Sequence, residues 1–258
     1  MQLLLNGLWQ LSPLTDLSIP QDDLTFPGPL SAVLPNTLSE PEIAQQEWHL
    51  MHDIEVTEEM LNHNVIELVV GGVDYHAEVR LNGVAMFDCD GRSMNYRKDV
   101  RSQLTLGRNR IEMLFLEEDD DEWFDDQEII PRLTPGDERM GVWRMPYLQF
   151  SQYVRLETLR IEQIWHPVGG CEVKVDLMFA ILAIGLVSAK VKFNGMTLTL
   201  PLDLRQDHAT ALFQIDAPVT QGDGANYSLA IEIDGYQVEA WVPLSPEAPI
   251  QTVALSQL

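Results

Sequence analysis

Between Val65 and Phe115 the chain alternates, and that alternation limits the folds open to it more than any other feature. The stretch runs Val65-Ile66-Glu67-Leu68-Val69-Val70, then Gly71-Gly72, then Asp74-Tyr75-His76-Ala77-Glu78-Val79-Arg80-Leu81. Tyr75, Ala77, Val79 and Leu81 take turns with Asp74, His76, Glu78 and Arg80. That is the period-two pattern of a strand with one dry and one wet face. Asn82-Gly83 follows, a pair that tolerates the positive φ of a tight hairpin turn. Ile111, Met113 and Phe115 alternate again beyond Leu106-Gly107-Arg108-Asn109. Antiparallel β structure is the prediction.

Around this stretch the chain reads as more of the same class. Residues 12–46 carry Pro13, Pro20, Pro27, Pro29, Pro35 and Pro41, which predicts an extended surface loop. Trp48 to Val56 resumes strand character, and Thr57 can cap a single turn through Leu61. From about Leu156 the alternation restarts, in Glu172 to Leu177, Ala189 to Phe193, Met196 to Leu200, Ala211 to Ile215 and Tyr227 to Ile233, with Asn194-Gly195 as a second hairpin signal. About seven short strands in roughly a hundred residues fit an immunoglobulin-like sandwich. Two all-β domains are therefore expected, 1–155 and 156–258. Leu177 to Val187 stays apolar through a presumed turn near Ala183-Ile184-Gly185. A buried strand pair explains this most simply, and an exposed patch for a partner is the sharper alternative.

Composition narrows the function classes. The formal charge is −24; such a field repels phosphate backbones and anionic lipid surfaces, so neither nucleic acid nor membrane is an expected partner. The N-terminus lacks a basic, then apolar, signal pattern, so a cytoplasmic location is expected. Cys89 and Cys171 are the only cysteines and are expected as free buried thiols. No metal-ligand spacing is present, and no cofactor is implied.

The local composition is oddest from Glu117 to Glu128, where nine carboxylates surround Trp123 and Phe124. Such a cluster can hold Ca²⁺, but it lacks the glycine and ligand spacing of a calcium loop, which favours a solvated loop. Sugar sites pair an aromatic face with carboxylates or amides, so Trp123 and Phe124 are ligand candidates, against a role in anchoring the loop. Trp9, Trp48 and Trp143 read as packing residues. His76 can line a groove beside Glu78. Arg144 can pair with Asp74, or with an acidic-loop carboxylate, at a domain junction.

Taken in order, Asn6-Gly7-Leu8-Trp9, Ile19-Pro20, Trp48, Gly72 through Gly83, Leu106-Gly107-Arg108-Asn109 and Gly141-Val142-Trp143-Arg144 resemble the N-terminal part of glycoside hydrolase family 2, nearest the β-mannosidase branch. The resemblance covers about the first 150 residues. It implies a jelly-roll, galactose-binding-like sandwich followed by an immunoglobulin-like one. In that family the acid/base and nucleophile glutamates lie on a (β/α)₈ barrel after these domains, with carboxyl groups about 5–5.5 Å apart. These 258 residues hold neither an alternating β/α run nor an Asn-Glu dipeptide. The implied function is thus a non-catalytic carbohydrate-binding or accessory module. The alternatives are part of a working hydrolase whose barrel lies elsewhere, and a protein-interaction module with a decayed sugar site. A catalytic barrel or a second copy, contacted through Leu177 to Val187, is the implied partner. The mannosidase branch also sends a Trp-Asp pair into the sugar pocket. Counting from Pro131-Arg132-Leu133 puts Glu128 at that place, and counting from Gly141 puts Asp137 there.

Overall fold

A computed structural model describes residues 1–91, 93–116, 139–220 and 226–254. The chain forms two compact units, one of Leu3–Gln149 and one of Phe150–Leu258 together with Met1–Gln2. The division falls a few residues ahead of the one drawn from the sequence pattern.

In the first unit a six-stranded sheet runs in the order Asp22–Leu24, Trp9–Pro13, Trp48–Val56, Gly107–Phe115, His76–Leu81 and Val84–Asp90. A four-stranded sheet joins Gln2–Leu4, Tyr147–Ser151, Val65–Gly71 and Asn95–Asp99. Each sheet buries its alternate apolar residues: Leu50, Val79, Leu81, Ile111 and Met113 from one, Ile66, Leu68 and Val70 from the other. Non-sequential strand neighbours within the sheets mark the crossovers of a jelly roll.

Local chemistry explains the turns. Asn82 and Gly83 sit at φ 53° and 79°, and Leu81 pairs with Val84 across them. Asn82 also grips Asn109, its side-chain nitrogen donating to the Asn109 Oδ1 at 2.9 Å. Asn109 is 1% exposed, and its own amide nitrogen donates to the carbonyls of Thr105 and Gly107 at 2.7 and 2.9 Å. The two asparagines of the sequence pattern thus close the hairpin and the Thr105–Asn109 turn onto each other. Thr57 caps Glu58–Leu61 as expected, its hydroxyl accepting from the Met60 amide.

Residues 12–46 correct the loop expectation. Glu40–Ala44 is a helical turn opened by a Ser39–Glu42 capping box, and Pro41 sits in its first turn, where no amide donor is needed. Leu30, Phe26 and Ile43 are buried, and the Trp48 indole donates to the Ile43 carbonyl at 2.9 Å. The segment still lies mostly at the surface, with Pro20, Pro27 and Pro41 exposed, but these buried side chains and short elements anchor it to the sheet.

The second unit is a sandwich of two four-stranded sheets. One orders His208–Ile215, Cys171–Ile181, Val154–Trp165 and Ile250–Ala254; the other orders Met196–Pro201, Ser188–Phe193, Asn226–Ile233 and Tyr236–Pro243. A single core cluster takes side chains from both, including Val173, Phe179, Val191, Phe213 and Ile231. Phe193 and Phe213 meet across it with ring centroids 5.5 Å apart. This is an immunoglobulin-like arrangement. Asp234-Gly235, at φ 40° and 90°, turns its third hairpin. Asp234 does more than turn: its Oδ2 accepts from the amides of Gln152, Tyr153 and Val154 at 2.9, 2.5 and 2.8 Å.

Cys89 and Cys171 are free and buried, and burial pushes both thiols above their ordinary range. Among the described residues no helix is long and apolar enough to cross a membrane.

Candidate functional site

Asp74 does not continue the strand that holds His76. Val73–Asp74 pairs with Gly141–Val142, which pairs in turn with Gly28–Pro29, making a separate three-stranded ribbon. His76–Leu81 belongs to the six-stranded sheet instead. The expected polar face of Asp74, His76, Glu78 and Arg80 is therefore split. His76, Glu78 and Arg80 stay half-buried on one strand, whereas Asp74 is 1% exposed. Period-two reading carries across a break in pairing because it sees no partner strand.

Gly141 makes the ribbon possible. It lies opposite both Pro29 and Asp74, and a β-carbon there would come within 2.7 Å of the Gly28 oxygen and 2.8 Å of the Pro29 Cα. Beyond the ribbon the Trp143 amide donates to the Gly72 carbonyl at 2.7 Å. The Trp143 indole Nε1 donates to Asp74 Oδ2 at 2.9 Å. A hydrogen bond to a buried carboxylate is of the strong, charge-assisted kind. The Arg139 guanidinium stands 5.5 Å from the Trp143 ring centroid, over its face.

Arg144 points to the neighbouring sheet. Its guanidinium donates to the Asn95 side-chain oxygen at 3.2 Å, in the amide orientation that also lets Asn95 donate to the Met94 carbonyl. On the same strands, Arg97 pairs with Glu67 at 2.9 Å, and Glu67 is 4% exposed. The Tyr147 hydroxyl is pushed above its ordinary value by burial first, with Arg97 opposing and Glu67 adding.

Asp74 and Trp143 thus meet, the Trp143 indole donating to a carboxylate that the sequence pattern also offered to Arg144. The pair acts as a cross-strand clamp: it orients an aromatic ring and closes a ribbon. Its indole donor and one ring face are already engaged within the protein, which leaves little of Trp143 for a ligand. Trp9 and Trp48 are fully buried, in keeping with packing roles. Trp123, Phe124, Glu128 and Asp137, with the whole Glu117–Glu128 acidic stretch, lie outside the described residues.

Leu177 to Val187 departs from the simplest expectation. Leu177 and Phe179 are buried, but Ile181 is 41%, Ile184 94% and Leu186 101% exposed. The strand ends at Ile181, and the loop after it is pinned rather than paired. The Leu182 and Ala183 amides donate to the Tyr153 carbonyl at 2.8 and 3.2 Å. Gly185 lies so close to the Tyr153 ring that a β-carbon would meet it at 2.1 Å.

Among the described residues, the carboxylates whose proton affinity clearly departs from the ordinary range are all shifted down. Asp53 is moved down by hydrogen bonds from Arg110 and Arg108, Asp203 by Arg205, and Glu232 by Lys192 and Lys190. A carboxylic acid that protonates a leaving group needs the opposite shift. Among the described residues no group of three or more His, Cys, Asp or Glu is placed to hold a metal ion.

The sequence reading passed over Trp241, which is 72% exposed. On Tyr236–Pro243 the residues Tyr236, Val238 and Val242 are buried and Gln237, Glu239 and Trp241 exposed. Strand parity alone would have placed this ring in solvent.

Two successive antiparallel sandwiches, the first closed by a short ribbon, define an all-β architecture of the galactose-binding-like and immunoglobulin-like kind. Residues 31–147, within the first unit, match the family described as glycosyl hydrolase 2 galactose-binding domain-like. Among curated proteins no sequence matches. Solved structures similar in fold include a β-D-mannosidase from Dictyoglomus thermophilum, with 15% identity and TM-score 0.65 over 94% of this chain and 36% of that one. A β-glucuronidase from an uncultured Clostridium species has 16% identity and TM-score 0.64, covering 95% of this chain and 44% of its own. A β-glucuronidase from Ruminococcus gnavus has 11% identity and TM-score 0.64, covering 95% and 45%. The chain spans less than half the length of each of these proteins.

Proposed function

We propose that this chain is a non-catalytic accessory module of the glycosyl hydrolase 2 kind, which docks a catalytic domain through the loop of Ile184 and Leu186. The observation that carries the docking is the exposure of those two side chains, 94% and 101%, on a backbone fixed to Tyr153. Apolar side chains held out by an ordered loop offer a preformed contact, since little conformational freedom is left to lose on binding. The fold likeness supports the accessory part: nearly all of this chain corresponds to less than half of each hydrolase. Mannosidase and glucuronidase match with almost equal TM-scores, so no substrate branch is favoured.

Two measurements test the reading. Purified chain incubated with p-nitrophenyl β-mannoside, β-galactoside and β-glucuronide is expected to release no nitrophenol, and turnover that survives rigorous purification would sink the non-catalytic claim. A family 2 (β/α)₈ domain encoded in the same genome, produced separately, is expected to co-sediment with the chain. Ile184→Asp with Leu186→Asp should abolish the complex; an unchanged complex would show that docking uses another surface.

A further inference from the structure

We infer that the outer face of the Met196–Pro201, Ser188–Phe193, Asn226–Ile233 and Tyr236–Pro243 sheet is a binding site for a neutral oligosaccharide, with Trp241 as its stacking platform. This site goes beyond the accessory role and does not depend on a catalytic partner.

Register defines the face. Trp241 stands opposite Ser228. The next row runs Glu239, Ala230, Lys192 and Thr197 across all four strands. A cavity of about 410 Å³ opens over these residues, bordered by the Gly195 turn. A β-carbon at Gly195 would meet nothing within 4 Å, so the turn leaves that border open. Further along the same face a second cavity of about 470 Å³ is lined by Lys190, Thr199, Glu232 and Gln237 among others. Between them Glu232 accepts from Lys190 and Lys192 at 3.3 and 3.1 Å, which holds the charged side chains in place.

The chemistry is that of a sugar site. An exposed indole offers a flat apolar face to the C–H side of a pyranose, and its N–H has no protein partner among the described residues. Hydroxyls of Ser228 and Thr197, the Glu239 carboxylate and the Lys192 ammonium can donate to or accept from sugar hydroxyls. Two cavities along one face suit a chain of sugars better than a single ring. Charge selects a neutral ligand: Lys190 and Lys192 offset Glu232 and Glu239 locally, while the chain as a whole carries −24 and repels uronates.

Calorimetric titration with cellohexaose, β-1,4-mannohexaose and trigalacturonate decides the matter. At least one neutral hexasaccharide is expected to bind, and Trp241→Ala to weaken it by about tenfold or more, a loss of the size that removing a stacked aromatic produces. Trp241→Phe should retain part of the affinity. Circular dichroism and melting of Trp241→Ala confirm that the variant folds. Absence of heat with both neutral hexasaccharides, binding that survives Trp241→Ala, or tighter binding of the uronate would each overturn the inference. So would loss of self-association in Trp241→Ala without any effect of sugar, which would make the face a protein contact. A sugar-binding result leaves the docking experiment above untouched, so the two proposals fail separately.

Discussion

Trp143 and Trp241 each follow a β-strand pattern that places a large aromatic beside a carboxylate, and the structure uses them in opposite ways. Trp143 gives its indole N–H to Asp74 at 2.9 Å and lies under Arg139. Asp74 is buried to 1% exposure, so the acceptor end of the bond is shielded from water and the bond counts for more than the same bond at a surface. Trp241 has neither constraint. Its neighbours on the sheet are Ser228 and Glu239, and the ring is 72% exposed. Whether a tryptophan beside an acid clamps the fold or offers a platform depends on where its N–H points and what covers its face. Composition shows the two alike.

The comparison breaks first at Trp143. Trp143→Phe keeps an aromatic ring but leaves the Asp74 carboxylate without the indole donor. That should cost the first unit about 3 kcal/mol, because a charge-assisted hydrogen bond inside the fold is lost. Denaturant melting followed by near-ultraviolet circular dichroism checks it; a loss under about 1 kcal/mol would mean that Asp74 draws its support from elsewhere. A somewhat smaller effect is expected at the glycine that closes the same ribbon. Gly141→Ala forces a methyl group against the Gly28 oxygen and Pro29 Cα, both backbone atoms that can move only with their strand, at a cost of about 2 kcal/mol.

How far the sequence told of these regions depends on how local the information was. The Asn82-Gly83 and Asn194-Gly195 hairpins were legible because φ preference and the alternating flanks lie within a few residues. The split at Asp74 was not, because it depends on pairing with Gly141–Val142, far along the chain. The exposure of Ile184 and Leu186 was hidden for a related reason: apolar composition predicts burial, but Tyr153 occupies the space next to Gly185 and the loop turns outward. Trp241 was legible from parity, since Val238 and Val242 fix the inward positions. The acidic stretch with Trp123 and Phe124 rests on composition alone.

Acid titration sharpens a third contrast, between clamps in water and clamps in the core. Asp53 accepts from Arg110 at 2.9 and 3.1 Å and from Arg108, and these bonds hold its pKa below the ordinary value. A depressed folded pKa stabilises the fold above the unfolded carboxylate value, about pH 4, and that contribution disappears as the pH falls through the folded one. All three side chains are roughly a third to two-thirds exposed, so solvent screens the cluster and Asp53→Asn should remove less than about 1 kcal/mol at neutral pH. The stability difference between wild type and variant should shrink toward zero in strong acid. A difference that persists there would place its origin in packing rather than in the carboxylate.

Trp241→Phe should change stability least, by no more than about 0.5 kcal/mol, because it removes little buried surface and no protein hydrogen bond. Its mark should appear in solvent access instead. Among the described residues Trp9 and Trp48 are fully buried and Trp241 is 72% exposed, so Trp241→Phe should remove a large share of the fluorescence that acrylamide quenches, while Trp143→Phe leaves that share in place. That outcome would leave the ring free for the contact proposed above. If Trp241→Phe instead lowered stability as much as Trp143→Phe, the ring would be part of the sandwich, and the contrast between the two tryptophans would fail with it.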